Sequence, residues 1–384
     1  TYFQHVLLTV LPTLLGMKNM QIHDFLADPQ FQKLLYAAVQ QLSPRDKALN
    51  NCRHLVPFGD HAAANWPYNM LWHNYASAVA HSNSELAGHL AWMAGECGGT
   101  VPESIEPLPL PWQSSYLNGL GVFFRNRADN GSETLLAFRS GSAWGHHHND
   151  DTSFWLYSYG RMLIGDAGFG DHAAGRMKFD DCGHSRWTLP GETLLNYHWR
   201  FNRGWITDMD FDETNQYATA MTPAVMTLHE VAHSLPRTRQ LQHFRSIAML
   251  TGNAFLVIDD TEEKIDSAYN FHLGSTKVTA ESSNVVTADY GDVFLKLITL
   301  PEVSLYRKEN VPGSRTDANI ATAHICAEVD RKTGPVAFLF VFGSSSELSW
   351  TLKRNGENFY AAGSGFAIEA SFANGSIQLV NHLS

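Results

Sequence analysis

From Val6 to about Gly98 the apolar positions recur every three or four residues. Leu7, Leu8, Leu11, Leu14 and Leu15 form one stripe, Phe31, Leu34, Leu35, Ala38 and Val39 a second, and Leu71, Tyr75, Ala78 and Val79 a third. Residues at that spacing share one face of a helix. Breaks at Pro29, Ser43-Pro44, Pro57 with Gly59, and Gly98-Gly99 divide the stretch into several antiparallel helices of moderate length. Residues 101–112, VPESIEPLPLPW, are rich in proline and acidic side chains, cannot continue a helix, and read as a linker.

Beyond that segment the pattern changes to short apolar or alternating runs: GVFFRN, ETLLAFRS, SFWLYSYG, YATAMT, AFLVIDD, VFLKLITL, VAFLFVFG and FAIEASF. Their valine, isoleucine, phenylalanine, tyrosine and threonine content marks strands. Asn253, Asn355-Gly356 and Asn374-Gly375 supply turn chemistry between several of them. The expected product is an α+β multidomain chain, with a helical portion over 1–100, a linker over 101–112 and a large antiparallel β-sandwich domain over 113–384.

The stretch HHHNDD (146–151) stands directly before SFWLYSYG, and GDAG directly follows the returning run RMLIG. In strand geometry His146, His148 and Asp150 share one face, and His147 and Asn149 the other. Equal spacings of about one hairpin separate His148 from Asp166 and Asp166 from His184, which lies in another strand-like run, CGHSRWTLPG. His148, Asp166 and His184 therefore make a candidate two-histidine, one-carboxylate set for a divalent metal, zinc or manganese. The alternative is a group of polar residues at a sheet edge, satisfied by backbone and water.

Composition narrows the function classes. Hydrophobic residues at 44% and aromatics at 12% are enough to bury a large core in more than one unit. A formal charge of -11 excludes general attraction to nucleic acid or an anionic membrane surface. No apolar run reaches the ~18 residues of a membrane span. Cys52, Cys97, Cys182 and Cys326 are widely separated and form no C-x-x-C pair, which argues against a disulfide scaffold or a cysteine-based zinc finger. The chain opens at Thr1, with no signal peptide and already in a helical pattern, which reads as a processed or truncated product with its start missing.

HHHNDDTSFWLYSYGRMLIGDAG resembles the pattern H-x-H-x-D-x-x-S-F, apolar strand, Gly, apolar pair, x-D-x-G of the heparinase II/III-like polysaccharide lyases, a superfamily of uronate lyases with a related uronyl C5-epimerase. GHSRWTLPG occupies the place of that family's H-N-T-x-x-x-D-G strand, with Ser185 and Arg186 in place of Asn and Thr. RQLQHFRSIAMLTGNAFLVIDD and FHLG resemble the strands that follow. The resemblance implies that the helical portion is the C-terminal part of an (α/α) toroid. It implies His146 as the catalytic histidine, and His148, Asp166 and His184 as ligands of a divalent metal, zinc first, with manganese or calcium as alternatives. Asp150 matches the acid that orients a ligand imidazole.

TYFQHVLLTVL is similar to the family's helix start that carries a second catalytic histidine, here His5; Leu8, Thr9 and Val10 stand where many relatives have a tyrosine. Tyr2, Tyr68 and Tyr75 are substitutes for it, although aromatics at helical spacing are more often core. Arg139, Trp144, His147 and Arg186 are the candidate sugar-contacting residues, joined by Arg176 and Lys178 in the neighbourhood. The implied activity is β-elimination on an acidic polysaccharide or oligosaccharide in the periplasm or outside the cell. An upstream toroid segment is an expected partner, and an oligomer is compatible. A uronyl C5-epimerase and a non-catalytic acidic-polysaccharide-binding protein are the alternatives.

Overall fold

The computed structural model describes residues 2–58, 69–141, 150–165, 183–188, 204–212, 216–227, 238–261, 265–308, 323–329, 334–363, 365–373 and 375–383. The chain divides into two compact units, Thr1–Gln113 and Ser114–Ser384.

In the first unit the apolar stripes become α1 (Tyr2–Asn19), α2 (Pro29–Gln40), α3 (Asn69–Val79) and α4 (Ser84–Glu96). Pro29 starts a helix rather than merely breaking one. It occupies the first turn of α2, where no N–H is needed, and Asp28 caps that turn by accepting from Gln30 N at 2.7 Å and Phe31 N at 3.3 Å. Asn83 caps α4 through Leu86 N. Leu7, Leu11, Leu35, Ala38, Val39, Leu71, Trp72 and Tyr75 fill the core. Leu8 and Leu34, expected on the same apolar faces, are 40% and 43% exposed, because only one edge of each stripe is covered. The proline-rich 101–112 stretch lies against α4: Leu108 N donates to Gly88 O, His89 Nδ1 meets Leu108 O at 2.8 Å, and Ile105 and Leu110 pack on the helical core. Among the described residues no helix is long and apolar enough to cross a membrane.

The second unit is built from antiparallel strands in three sheets. The first sheet runs β1 (Ser115–Leu117), β2 (Gly121–Arg127), β3 (Glu133–Arg139), β4 (Phe154–Ser158), β5 (Arg161–Gly165), β11 (Ser267–Leu273), β16 (Ala323–Val329), β15 (Leu305–Arg307), and β6 (Trp187–Thr188) adds to β11. The second runs β12 (Val278–Ser282), β13 (Val285–Asp289), β14 (Phe294–Thr299), β17 (Val336–Gly343), β10 (Ala254–Thr261), β9 (Thr238–Thr251), β8 (Gln216–Thr227), β7 (Trp205–Phe211). The third is the meander β18 (Trp350–Asn355), β19 (Asn358–Gly363), β20 (Phe366–Ala373), β21 (Ser376–Leu383). Every run singled out in the sequence forms a strand, with end residues of ETLLAFRS, SFWLYSYG and VFLKLITL falling just outside it.

The first two sheets face each other across an aromatic core. Phe154 meets Phe255 and Phe340 edge-on at 5.7 Å each, Phe255 stacks on Phe340 at 4.6 Å, and Phe271 meets Phe338 at 4.9 Å. Offset and edge-to-face pairs of this kind add to the area term that dominates burial.

Candidate functional site

The expected hairpin after HHHNDD is present. β4 and β5 are joined by Tyr159 and Gly160, with φ of 55° and 71°, the left-handed pair that a two-residue hairpin turn needs. β5 ends at Gly165, where it pairs with His272 of β11. The chain returns to the same strand at β6, where Trp187 pairs with Tyr269 and Thr188 with Ala268. Ser185 joins the two arrivals. Its hydroxyl donates to Gly165 O at 2.7 Å and accepts from His272 N at 3.0 Å. Gly165 and Ser185, which neighbour Asp166 and His184 in the sequence, thus meet on one edge of β11.

The third segment is anchored nearby. Arg139, the last residue of β3, brackets the residues after Asp151: Arg139 N donates to Ser153 O and Thr152 N to Arg139 O, both at 2.9 Å. Asp150 is buried, with Oδ1 3.6 Å from Arg139 Nε. Asp151 is also buried and accepts from Gly204 N at 3.1 Å and Gly141 N at 3.4 Å. Gly204 has to be glycine, since a Cβ there would lie 2.6 Å from Thr222 Oγ1. Burial pushes the Asp151 carboxyl up to about 6, with Asp150 adding to the rise, against the opposing charge of Arg139.

Arg245 of β9 connects these segments. Its Nη1 donates to Thr152 O and to Ser185 O, at 2.8 Å each, while Nε and Nη2 form a two-pronged pair with Asp259 of β10 at 2.8 and 2.9 Å. His243 Nε2 donates to Asp259 Oδ1 at 2.7 Å, and its ring stacks on Trp187 at 4.7 Å. All three charged or titratable groups are fully buried. Burial drives the His243 pKa down to about 4, outweighing Asp259. Burial alone would raise Asp259, but Arg245 and His243 together hold it below the usual carboxylate range.

Alongside, Asn270 N and Nδ2 both donate to Arg186 O, Nδ2 also reaches Thr188 Oγ1, and His324 Nε2 donates to Asn270 Oδ1 at 2.9 Å. His324 stacks on His272 at 4.5 Å. Burial keeps His324 neutral, with its pKa lowered to about 2.

The candidate residues are distributed as follows. His146, His147, His148, Trp144 and Asp166 lie outside the described residues, as do Arg176, Lys178 and Tyr68. His184 is buried beside Ser185. Arg186 is buried, with Nε donating to Trp187 O, and Arg139 is buried, with Nη1 donating to Leu120 O at 2.9 Å. His5 is exposed in the first turns of α1. Tyr75 is helical core: it is fully buried, its hydroxyl donates to Leu7 O at 2.7 Å, and burial raises its pKa. Among the described residues no three histidine, cysteine, aspartate or glutamate side chains gather to hold a metal.

Arg245, Asp259 and His243 were not among the candidates. A signal existed in RQLQHFRSIAML, where His243 and Arg245 fall on the same face as Ile247 and Met249, so that a core-facing stripe ends in charge.

No protein-family model matches the chain, and no curated protein matches it in sequence. Among solved structures it is similar to the heparan sulfate lyase HepC from Pedobacter heparinus, with a TM-score of 0.68 and 18% identity over 100% of this chain and 57% of that one. It is also similar to a heparinase III gene product, with a TM-score of 0.63 and 14% identity over 92% of this chain and 52% of the other. The fold is that of the heparinase-like polysaccharide lyases. The chain spans a little over half the length of these structures.

Proposed function

We propose that this chain is part of a polysaccharide lyase that cleaves a uronic-acid-containing polysaccharide by β-elimination. One observation carries the proposal. In a fold shared with heparan sulfate lyases, Thr152, Gly165 and Ser185, which flank HHHNDD, Asp166 and His184 in the sequence, are linked to one another through Ser185 and Arg245.

In the reaction a base removes the C5 proton beside the uronate carboxylate. The C5–H electron pair becomes the C4=C5 double bond, the C4–O4 bond breaks, and the departing O4 takes a proton from an acid. We assign His146 and His5 to this proton traffic. Trp144 and His147 would meet the sugar, with the positive charges of Arg139 and Arg186 beneath, since the carboxylate must be neutralised before C5 becomes acidic.

His148, Asp166 and His184 would hold a divalent metal, zinc first, and Asp150 would orient a ligand imidazole. Two imidazoles and one carboxylate suit zinc, and the buried His184 lies one residue from the serine that binds Gly165 O. The metal would supply rigidity to the segment carrying His146. The helical unit, on this proposal, is the C-terminal part of an (α/α) toroid, completed by an upstream segment, and the enzyme works in the periplasm or outside the cell.

The test is ultraviolet absorbance of the conjugated C4=C5 product during incubation with a panel of uronate polymers, using this chain and its longest native form. We expect a rise that His146→Ala lowers by roughly 100-fold or more. No rise on any polymer sinks the lyase assignment, and solvent hydrogen entering C5 without a rise would assign epimerisation instead.

A further inference from the structure

We propose that Arg245 is a positioning residue for the candidate site, and that Asp259 and His243 serve to aim it. The role in turnover rests on the lyase proposal above; the geometry does not. A single nitrogen, Nη1, donates to the carbonyls of Thr152 and Ser185. Thr152 closes the segment that contains His146, His148 and Asp150, and Ser185 is next to His184. Arg245 therefore fixes where one candidate segment lies relative to the other.

Three features separate this arrangement from an ordinary buried ion pair. Asp259 takes Nε and Nη2 in two parallel bonds, which orients the guanidinium plane and leaves Nη1 for the two carbonyls. Only a planar fork can meet Asp259 twice and both carbonyls at once; a lysine ammonium is a point charge with three donors. Second, Thr152 has φ of 63°, a left-handed conformation that a β-branched residue avoids, and such backbone persists only where its surroundings over-determine it. Its carbonyl is the group Arg245 holds. Third, the chain of contacts closes on itself: His243 donates to Asp259 and stacks on Trp187, two residues beyond Ser185 on the same segment. Two of the four acceptors of Arg245 thus belong to the site segments, and the support for the other two returns to one of them.

The experiment compares the full chain with Arg245→Lys, Asp259→Asn and His243→Gln. The control is Thr134→Val, which removes a buried hydroxyl paired with Ser158 at the opposite end of β3 from Arg139. Backbone hydrogen exchange is read at 150–153 and 184–188, together with zinc retained after chelation and refilling, and kcat and KM on the polymer that the wild type cleaves. We expect Arg245→Lys and Asp259→Asn to speed exchange in both segments together, with kcat and zinc retention down by roughly 10- to 100-fold and KM little changed. His243→Gln, which keeps a donor toward Asp259 and is the mildest change, moves the same quantities less and stands in should the others fail to fold. Thr134→Val lowers Tm without touching either segment.

Unchanged exchange in the two segments, or faster exchange in only one, overturns the proposal. Coupled exchange in a chain that cleaves no polymer leaves Arg245 as the positioning residue and removes only the lyase assignment.

Discussion

The paired strands β9 and β10 carry two different kinds of interior along one ladder. Toward the hairpin end, Met249 opposes Phe255 and Ile247 opposes Val257, and Phe255 stacks on Phe340. Two rungs further on, Arg245 opposes Asp259, with His243 opposite Thr261 beyond. Both ends are buried, on the same face of the same sheet. The apolar end stabilises through area removed from water, which has no directional demand. At the charged end most of the gain from the pair is offset by desolvation, and what it secures is the position of the groups it touches. Thr152 and Ser185 are held at the charged end.

Breaking the ladder at each end gives the largest expected effects. Asp259→Ala leaves Arg245 buried and unpaired, at a cost of about 3–5 kcal/mol. Phe255→Ala costs a similar ~3–5 kcal/mol through the cavity it leaves. Urea unfolding should therefore scarcely distinguish the two variants, whereas turnover of the folded fraction should fall only for Asp259→Ala. Replacing the pair by Arg245→Met with Asp259→Leu sharpens the contrast: stability returns to within about 2 kcal/mol of wild type or exceeds it, while turnover stays lost. A double variant with full turnover would mean that the ion pair positions nothing.

The pH dependence separates two buried groups, His243 on β9 and Asp151 in the segment before β4. His243 is held neutral, with a folded pKa of about 4 against an ordinary 6.5, so the unfolded chain takes its proton first. Its contribution is complete above pH 6.5 and is lost as the pH falls toward 4. Asp151 is the reverse: the folded pKa is about 6 against 3.8, so the folded state takes the proton first and stability rises as the pH falls through that window. Each effect is on the order of 3 kcal/mol, and they oppose one another. In denaturant titrations between pH 7 and 4, His243→Gln should gain stability relative to wild type as the pH drops, and Asp151→Asn should lose it. Parallel profiles for all three would place neither group where its surroundings set its charge.

The smallest effect is expected at the surface. Arg161 and Asp292 approach to 2.6 Å, but their side chains are 32% and 48% exposed. Arg161→Ala should cost no more than about 1 kcal/mol in urea unfolding and leave turnover unchanged. A loss comparable to that of Asp259→Ala would show that exposure is not what separates the two pairs.

Much of the fold was legible because alternation and turn chemistry are local. SFWLYSYGRMLIG spelled a hairpin, which forms as β4 and β5, and Gly356, with φ of 62°, likewise lies in the turn between β18 and β19; Asn374 lies outside the described residues. The proline-rich stretch was legible as non-helical but not as a strap on α4, since Leu108 meets Gly88 and His89 only after the helix has formed. For the site, the equal spacing of His148, Asp166 and His184 pointed to returns of the chain to one place, and the contacts of Ser185 with Gly165 and His272 support the return from 165 to 185. Arg139 and Arg186 read as sugar-contacting arms, yet both are buried with donors on backbone carbonyls. An arginine in a strand carries no local mark of which face will be covered.

The sequence by itself determined the elements, the change from helical to alternating periodicity near residue 113, the turns, and the histidine- and aspartate-rich segment from which a reaction class could be argued. All of these depend on neighbours a few residues away, which share one helix face or one side of a strand. Only the tertiary structure decided that Arg245 would face Thr152 and Ser185, that Asp259 and His243 would hold it there, and that Tyr75 would be core. Arg245 meets Thr152 and Ser185 across 93 and 60 positions, and whether a charge is exposed, paired or used to hold another segment depends on which surfaces the packed sheets bring over it.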